Sequence, residues 1–315
     1  MGDSFMTTSD IIVQLNHCYP LKFSSVELLR EGGSRTYCSW CDNEKYFLKV
    51  IPFAFGDSAK QSIDILLYLE KNRFPSPSVI KTNSGQAYVE GQDKENILVL
   101  FDHLEGEEPE ADDNLELTGE LIGKLHHLMG AYKVSLPEHN KEYFIDRYIH
   151  LLKQMDYEED KLNNFREYGD YLWSRVENLP RGFCHGDLHP GNLLKTSKGN
   201  YYILDFDTAS YAFPLYDCVL FCNRTNYFDY EEEGLLRSKK AFQSFLKGYS
   251  RYSILSAEEI NSFNNLLAIY HYQLQATIIE IYGKNCVDED FLDRQLDWLM
   301  RWRKQCEREE KSAIN

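Results

Sequence analysis

The segment His185-Gly186-Asp187-Leu188-His189-Pro190-Gly191-Asn192 is followed by Leu193-Leu194-Lys195, a polar turn, and Tyr201-Tyr202-Ile203-Leu204-Asp205-Phe206-Asp207. Ser197-Lys198-Gly199-Asn200 has the chemistry of a hairpin turn, and the apolar and aromatic residues on either side suit strands. Folding the chain about Lys198 and Gly199 sets Leu193 opposite Leu204, Leu194 opposite Ile203 and Asn192 opposite Asp205. Directly opposed residues have Cβ atoms ~4.5–5.5 Å apart. An amide oxygen and a carboxylate then converge at the open end of one hairpin. Hard oxygen donors of this kind suit Mg2+, which takes one or two protein ligands and completes its shell with water and phosphate oxygens. Asp187 lies on the loop entering the hairpin, where a carboxylate can accept the proton of an incoming hydroxyl. Each of the three alone reads as an ordinary turn residue. Together, at these spacings, they read as a site.

Towards the N-terminus the texture is of short extended segments. Residues 26–30, 35–40 and 46–51 read as strands, with Gly32-Gly33-Ser34 and Asp42-Asn43 as turns. Thr8, Ser9 and Asp10 offer capping oxygens to a short first helix. A second helix is expected over 58–72, apolar along Ile63, Leu66, Leu67 and Leu69, and stopped by Phe74-Pro75-Ser76-Pro77. Further strands are expected over 79–82, 86–90 and 97–101. An acidic stretch over 105–114, with Gly106 and Pro109, reads as a linker. Beyond it the pattern is helical except over 183–209. Strands first and helices second define a segregated α+β layout of two lobes. Lys49 is a lone cation in the apolar strand over 46–51, and burying it without a partner is costly, so a facing carboxylate or phosphate is expected.

The spacing of Asp187 to Asn192, with Asp205-Phe206 after a hairpin, resembles the protein-kinase catalytic loop and metal-binding Asp-Phe-Gly set. Gly186 stands where protein kinases carry Arg, and Asp207 where they carry Gly. His-Gly-Asp-Leu-His-Pro-Gly-Asn followed by Leu-Asp-Phe-Asp is similar to the aminoglycoside phosphotransferase and choline kinase branch, over about 28–221. That branch holds small-molecule kinases together with a few kinases of proteins.

The resemblance implies a protein-kinase-like two-lobe fold. An N-lobe of antiparallel sheet plus helix would span 1–101, a hinge 102–110, and a helical C-lobe 111–315. The C-lobe would carry the catalytic loop, 185–192, and the metal segment, 205–207. Asp187 would be the catalytic base, and Asn192 and Asp205 would hold Mg2+. Lys49 would contact the phosphates of ATP or GTP, covered by Gly32, Gly33 and Ser34, while backbone near Phe101 and His103 meets the purine. Asp217, in Pro214-Leu215-Tyr216-Asp217, and His185 would brace the loop; His189 has no assigned role. The family pairs its lysine with a helix glutamate, but Ser62 occupies the expected position, leaving Asp57, Asp64 or Glu70 as substitutes. Two alternatives follow: a non-catalytic kinase-like scaffold, and a protein Ser/Thr kinase of the same branch.

Thirty-four basic residues against fifty acidic ones leave a net charge of −16, which argues against a nucleic-acid binder and suits a soluble surface or a cationic substrate. Residues 1–10 lack the basic and apolar regions of a signal peptide, and no run approaches the ~20 apolar residues of a membrane span. Eight dispersed cysteines, including Cys38/Cys41 and Cys218/Cys222, form no disulfide framework or zinc set and read as free thiols. The expected location is the cytoplasm. The expected partner is a small hydroxyl-bearing molecule, and nothing in the sequence bears on oligomeric state. Acceptor contacts are sought in two aromatic stretches, 227–230 beside acidic 231–233, and 268–273.

Overall fold

The computed structural model describes residues 6–91 and 95–314, so that half of the polar N-terminal decapeptide, residues 1–5, lies outside the described residues. Helix α1 (Thr8–Cys18) starts one residue earlier than its expected caps, at Thr7, which forms a reciprocal capping box with Asp10. Strands β1 (Phe23–Glu31), β2 (Arg35–Cys41) and β3 (Glu44–Pro52) follow, then α2 (Gly56–Lys71), β4 (Val89–Glu90) and β5 (Asn96–Asp102). They form one antiparallel five-stranded sheet in the order β1-β2-β3-β5-β4. Leu48, Val50, Leu98, Leu100, Tyr37 and Cys41 pack with Ile11, Leu15 and Tyr19 of α1, so one sheet face is core. Alternation then puts Phe47, Lys49, Val99 and Phe101 on the opposite face.

The helical part comprises α3 (Leu115–Met129), α4 (Arg147–Gln154) with a π turn at Glu142–Asp146 before it, and α5 (Glu159–Ser174). Next come β6 (Gly182–Cys184), the hairpin β7 (Leu193–Lys195) and β8 (Tyr201–Ile203), then β9 (Ser210–Ala212), which pairs with β6. Helices α6 (Pro214–Cys222), α7 (Glu232–Tyr249), α8 (Ala257–Asn261), α9 (Phe263–Tyr282) and α10 (Glu289–Ile314) complete the chain. Trp298 and Trp302 of α10 are buried and donate to the Asn226 and Asn264 carbonyls, which seats the last helix. All eight cysteines are free, with Cys218 and Cys222 buried on α6. No helix among the described residues is long and apolar enough to cross a membrane.

The chain divides into two compact units, residues 1–109 with 190–208, and residues 110–189 with 209–315. Residues 190–208, placed with the helical half by the sequence reading, group with the strand-rich unit. There Glu107 and Lys195 exchange backbone hydrogen bonds of 3.0 and 2.8 Å. Gly106 permits that approach, since a Cβ on it would stand 2.4 Å from Leu194 Cδ2 and 2.5 Å from the Lys195 carbonyl. The architecture is a protein-kinase-like α+β fold, an antiparallel-sheet N-lobe and a mainly helical C-lobe.

Candidate active site

Lys49 sits on the sheet face opposite the α1 core, its side chain only 12 % exposed. Its ammonium donates to Asp207 Oδ2 at 2.5 Å and to Asp205 Oδ1 at 3.0 Å. Burial opposes the charged form, and the carboxylates of Asp207 and Asp205 overcome it, so Lys49 is held above the usual lysine range. Ser62 of α2 is buried, and the carboxylates that meet Lys49 come from the hairpin rather than from Asp57, Asp64 or Glu70. That replaces the helix acid sought in the sequence.

The hairpin register differs by one residue from the expected fold. Leu193 pairs with Ile203, Leu194 with Tyr202 and Lys195 with Tyr201. Thr196 and Asn200 close the turn through Thr196 N–H to Asn200 O (2.9 Å), and Gly199 N–H returns to Thr196 O (2.8 Å). Gly199 takes φ +79°, so the loop is the three residues Ser197-Lys198-Gly199 with a left-handed glycine at its end, not a symmetric fold about Lys198 and Gly199. A one-residue change of loop length shifts every pair. Asn192 consequently faces Leu204, whose N–H donates to its carbonyl at 2.9 Å, and Asp205 is the next residue along. Asp205 itself adopts φ +57°, a left-handed conformation that aspartate tolerates better than most residues. That turn ends the strand direction at the metal segment and leaves Asp205 and Asp207 on Lys49.

The loop over 32–34 joins β1 to β2, which pair through Glu31 and Arg35. Arg35 in turn pairs with Val50, and Thr36 with Lys49, so the loop lies at the end of the sheet nearest the lysine. Neither Gly32 nor Gly33 has a positive φ, and a Cβ on Gly33 would meet nothing within 4 Å. The fold itself does not require these glycines. Phe101 pairs with Phe47, two residues from Lys49, and their rings lie 6.2 Å apart. His103 follows β5 in irregular, half-buried chain.

Asp187, Leu188 and His189 belong to the second unit. The strand β6 delivers the chain to His185, and Gly186 turns it with φ +85°, a conformation costly for other residues. Leu188 is buried, whereas the Asp187 side chain is 54 % exposed, with His189 Nε2 3.7 Å from its Oδ2. Beneath the loop, Asp217 of α6 is fully buried. Its Oδ2 accepts from His185 N (2.7 Å), and its Oδ1 from Gly186 N (2.9 Å) and Cys184 Sγ (3.1 Å). Burial works against its charge, while the hydrogen bond from His126 and the charges and amides around it prevail and keep Asp217 below the ordinary carboxylate range. Asp217 thus braces the loop, as its place in the sequence suggested.

Tyr143 and Tyr270 share Asp187's surroundings. Burial pushes both phenols up, to about 12 for Tyr270, and the negative charge of Asp187 adds to it. Tyr143 stacks on His139 at 3.4 Å and lies under the Arg147 guanidinium at 4.4 Å. In the aromatic stretch of α9, Tyr272 donates to the Phe165 carbonyl and His271 stacks on Trp298, so both are packing residues and Tyr270 alone is half-buried. Tyr230 is engaged by Gln305 and Arg301. Asp207 is legible in the sequence only as part of the segment 205–207 and as a departure from Asp-Phe-Gly; the His139, Tyr143 and Arg147 stack is a four-residue spacing that the sequence does carry, whereas the partners of His126 lie 91 and 123 residues away, beyond any local pattern.

Asn192, Asp205 and Asp207 each offer side-chain oxygens, and Asp205 and Asp207 already attract one cation, chemistry that fits Mg2+. Among the described residues no cluster of three or more His, Cys, Asp or Glu side chains is placed to hold a metal ion.

Residues 25–255 match the profile of the phosphotransferase enzyme family, and the chain belongs to that family. It is a phosphotransferase enzyme by that membership. Among solved structures it is similar to the amicoumacin kinase hAmiN in complex with AMP-PNP, Ca2+ and Ami (18% identity, 95% of this chain and 92% of that one, TM-score 0.74). It is also similar to a microcompartment-associated aminopropanol kinase (18% identity, 96% and 97%, TM-score 0.72). A third similar fold is the choline kinase LicA from Streptococcus pneumoniae (17% identity, 94% and 97%, TM-score 0.59). No curated protein matches the sequence.

Proposed function

We propose that the protein is a Mg2+-dependent kinase that transfers the γ-phosphoryl group of ATP or GTP to a hydroxyl of a small acceptor, such as an aminoglycoside, choline or another amino alcohol. The observation that carries this reading is the buried Lys49 held by two carboxylates of the hairpin that opens at Asn192. Lysine and carboxylates gathered in this way are the parts needed to hold a triphosphate and its metal.

In this reading Lys49 neutralises phosphate oxygens, while Asn192 and Asp205 hold Mg2+. Asp207 keeps Lys49 charged and aimed. When bound, the ion would supply charge neutralisation for the phosphoryl group in transfer. Backbone amides of Gly32, Gly33 and Ser34 approach the phosphates, and main-chain groups near Phe101 and His103 meet the purine. Asp187, exposed on a loop that Asp217 anchors, accepts the hydroxyl proton and orients the oxygen for in-line attack. The aromatic surroundings of Asp187 and the −16 charge favour a cationic acceptor, and aminopropanol and choline, named for two of the similar structures, both carry a cationic nitrogen. Ser62 was the ground for a non-catalytic scaffold; with carboxylates already at Lys49, that ground is removed.

The test is a screen of aminoglycosides, choline, homoserine and other amino alcohols for triphosphate turnover with Mg2+, repeated with Asp187→Asn. The variant is expected to lose nearly all turnover on the identified acceptor while still binding nucleotide. Wild-type turnover by Asp187→Asn overturns the base assignment. Labelled triphosphate appearing in lysate proteins rather than in small molecules would favour a protein kinase instead.

A further inference from the structure

Behind the catalytic loop a chain of buried groups runs through three helices of the second unit. His126 of α3 places Nε2 2.9 Å from Asp217 Oδ2 and Nδ1 2.8 Å from the hydroxyl of Tyr249 on α7. A carboxylate oxygen only accepts, so Nε2 must carry the hydrogen, and in the neutral ring Nδ1 offers a lone pair to the Tyr249 hydroxyl. Burial pushes the Tyr249 phenol well up, so it keeps the hydrogen that it donates. One direction of donation then runs from Tyr249 through His126 to Asp217.

The placement of Tyr249 is set by backbone rather than by side chains. A Cβ on Gly119 would stand 2.1 Å from the Phe245 carbonyl, and one on Gly123 2.6 Å from that of Tyr249. From the facing helix, a Cβ on Gly248 would stand 1.8 Å from the Glu116 carbonyl. Helices α3 and α7 therefore cross at the closest approach glycine permits, leaving the Tyr249 ring little freedom to shift from His126.

We propose that Tyr249 and His126 are positioning residues for the catalytic loop: the Tyr249 phenol, donating to Nδ1, fixes the plane of the His126 ring, whose Nε2–H orients the Asp217 carboxylate towards the His185 and Gly186 amides and so places Asp187. Without the phenol, Nδ1 loses its donor and the imidazole is held at Nε2 alone, free to tilt about that bond. The carboxylate turns away, and the loop amides lose an acceptor. This inference rests on the reading of Asp187 as the base.

The experiment is Tyr249→Phe, which keeps the packed ring and deletes only the hydroxyl. Hydrogen exchange and histidine 15N spectra on the purified chain are read beside kinetics on the acceptor found above. The His126 Nδ1 signal is expected to move as it loses the hydrogen bond from the phenol, and exchange at the His185 and Gly186 amides to accelerate about tenfold, the equivalent of one hydrogen bond. The kcat should fall about tenfold with nucleotide KM within about twofold. His126→Gln, which retains a donor, should preserve more of kcat than His126→Leu. Unchanged exchange at both amides with unchanged kcat overturns the proposal. So does acceleration that is uniform across α9 and the loop, because it marks a general loss of stability. If no acceptor turns over in the wild type, the kinase reading fails, while the two amides and the His126 signal still decide this inference.

Discussion

The Lys49 ammonium and the Asp207 carboxylate meet at 2.5 Å although 158 residues separate them, and Asp205 joins them at 3.0 Å. A buried cation is tolerable only with such partners. Asp207→Asn should therefore leave Lys49 under-compensated and weaken nucleotide binding roughly tenfold, the equivalent of one charge-assisted hydrogen bond. Titration calorimetry with and without Mg2+ checks this. A loss confined to the Mg2+ arm would instead make Asp207 a metal ligand and not the anchor of Lys49.

Asp205→Asn removes charge from both the proposed metal site and Lys49. Its nucleotide affinity should lose most of its dependence on Mg2+, whereas Asp187→Asn should keep it. Binding curves over a Mg2+ series separate the two variants. An undiminished Mg2+ response in Asp205→Asn would move the metal site elsewhere.

Gly33 has room for a methyl group and no left-handed backbone. Gly33→Ala should leave thermal stability unchanged or raise it by about 0.4–1 kcal/mol, because it restricts the unfolded chain. If the loop covers phosphates, nucleotide affinity should nevertheless fall. A melting scan together with a nucleotide titration reads both effects, and unchanged affinity would remove residues 32–34 from the nucleotide site.

His271 is buried against Trp298, and burial holds it at about 4, well below the ordinary histidine value. A depressed folded value means that the unfolded chain binds the proton first. Stability is therefore full above about 6.5 and falls with decreasing pH until about 4, by about 1.4 kcal/mol per pH unit for this group. Urea titrations between pH 7 and 4.5 should show that slope, and His271→Gln should flatten it. An equal slope in the variant would assign the acid sensitivity to other groups.

Legibility in the sequence followed the range of the forces involved. The strands around Lys49, the glycine turn over 32–34 and the loop from His185 to Asn192 were readable because alternation, turn chemistry and spacing act within about ten residues. The hairpin itself was readable but not its register, because that depended on Gly199 adopting a left-handed φ that makes the loop three residues long. The caps of α1 moved by one residue for a similar local reason, the reciprocal bond of Thr7 with Asp10.

The sequence by itself determined a kinase-like order of strands and helices and the identity of the acidic and amide residues on one hairpin, since these are written in contiguous segments. Only the tertiary structure decided that Lys49 is neutralised by Asp205 and Asp207 rather than by an acid of α2, and that Tyr249, His126 and Asp217 line up behind the loop. Those partners lie 91 to 158 residues apart in the chain, and whether such groups meet depends on how sheet and helices pack, which no short stretch of residues specifies.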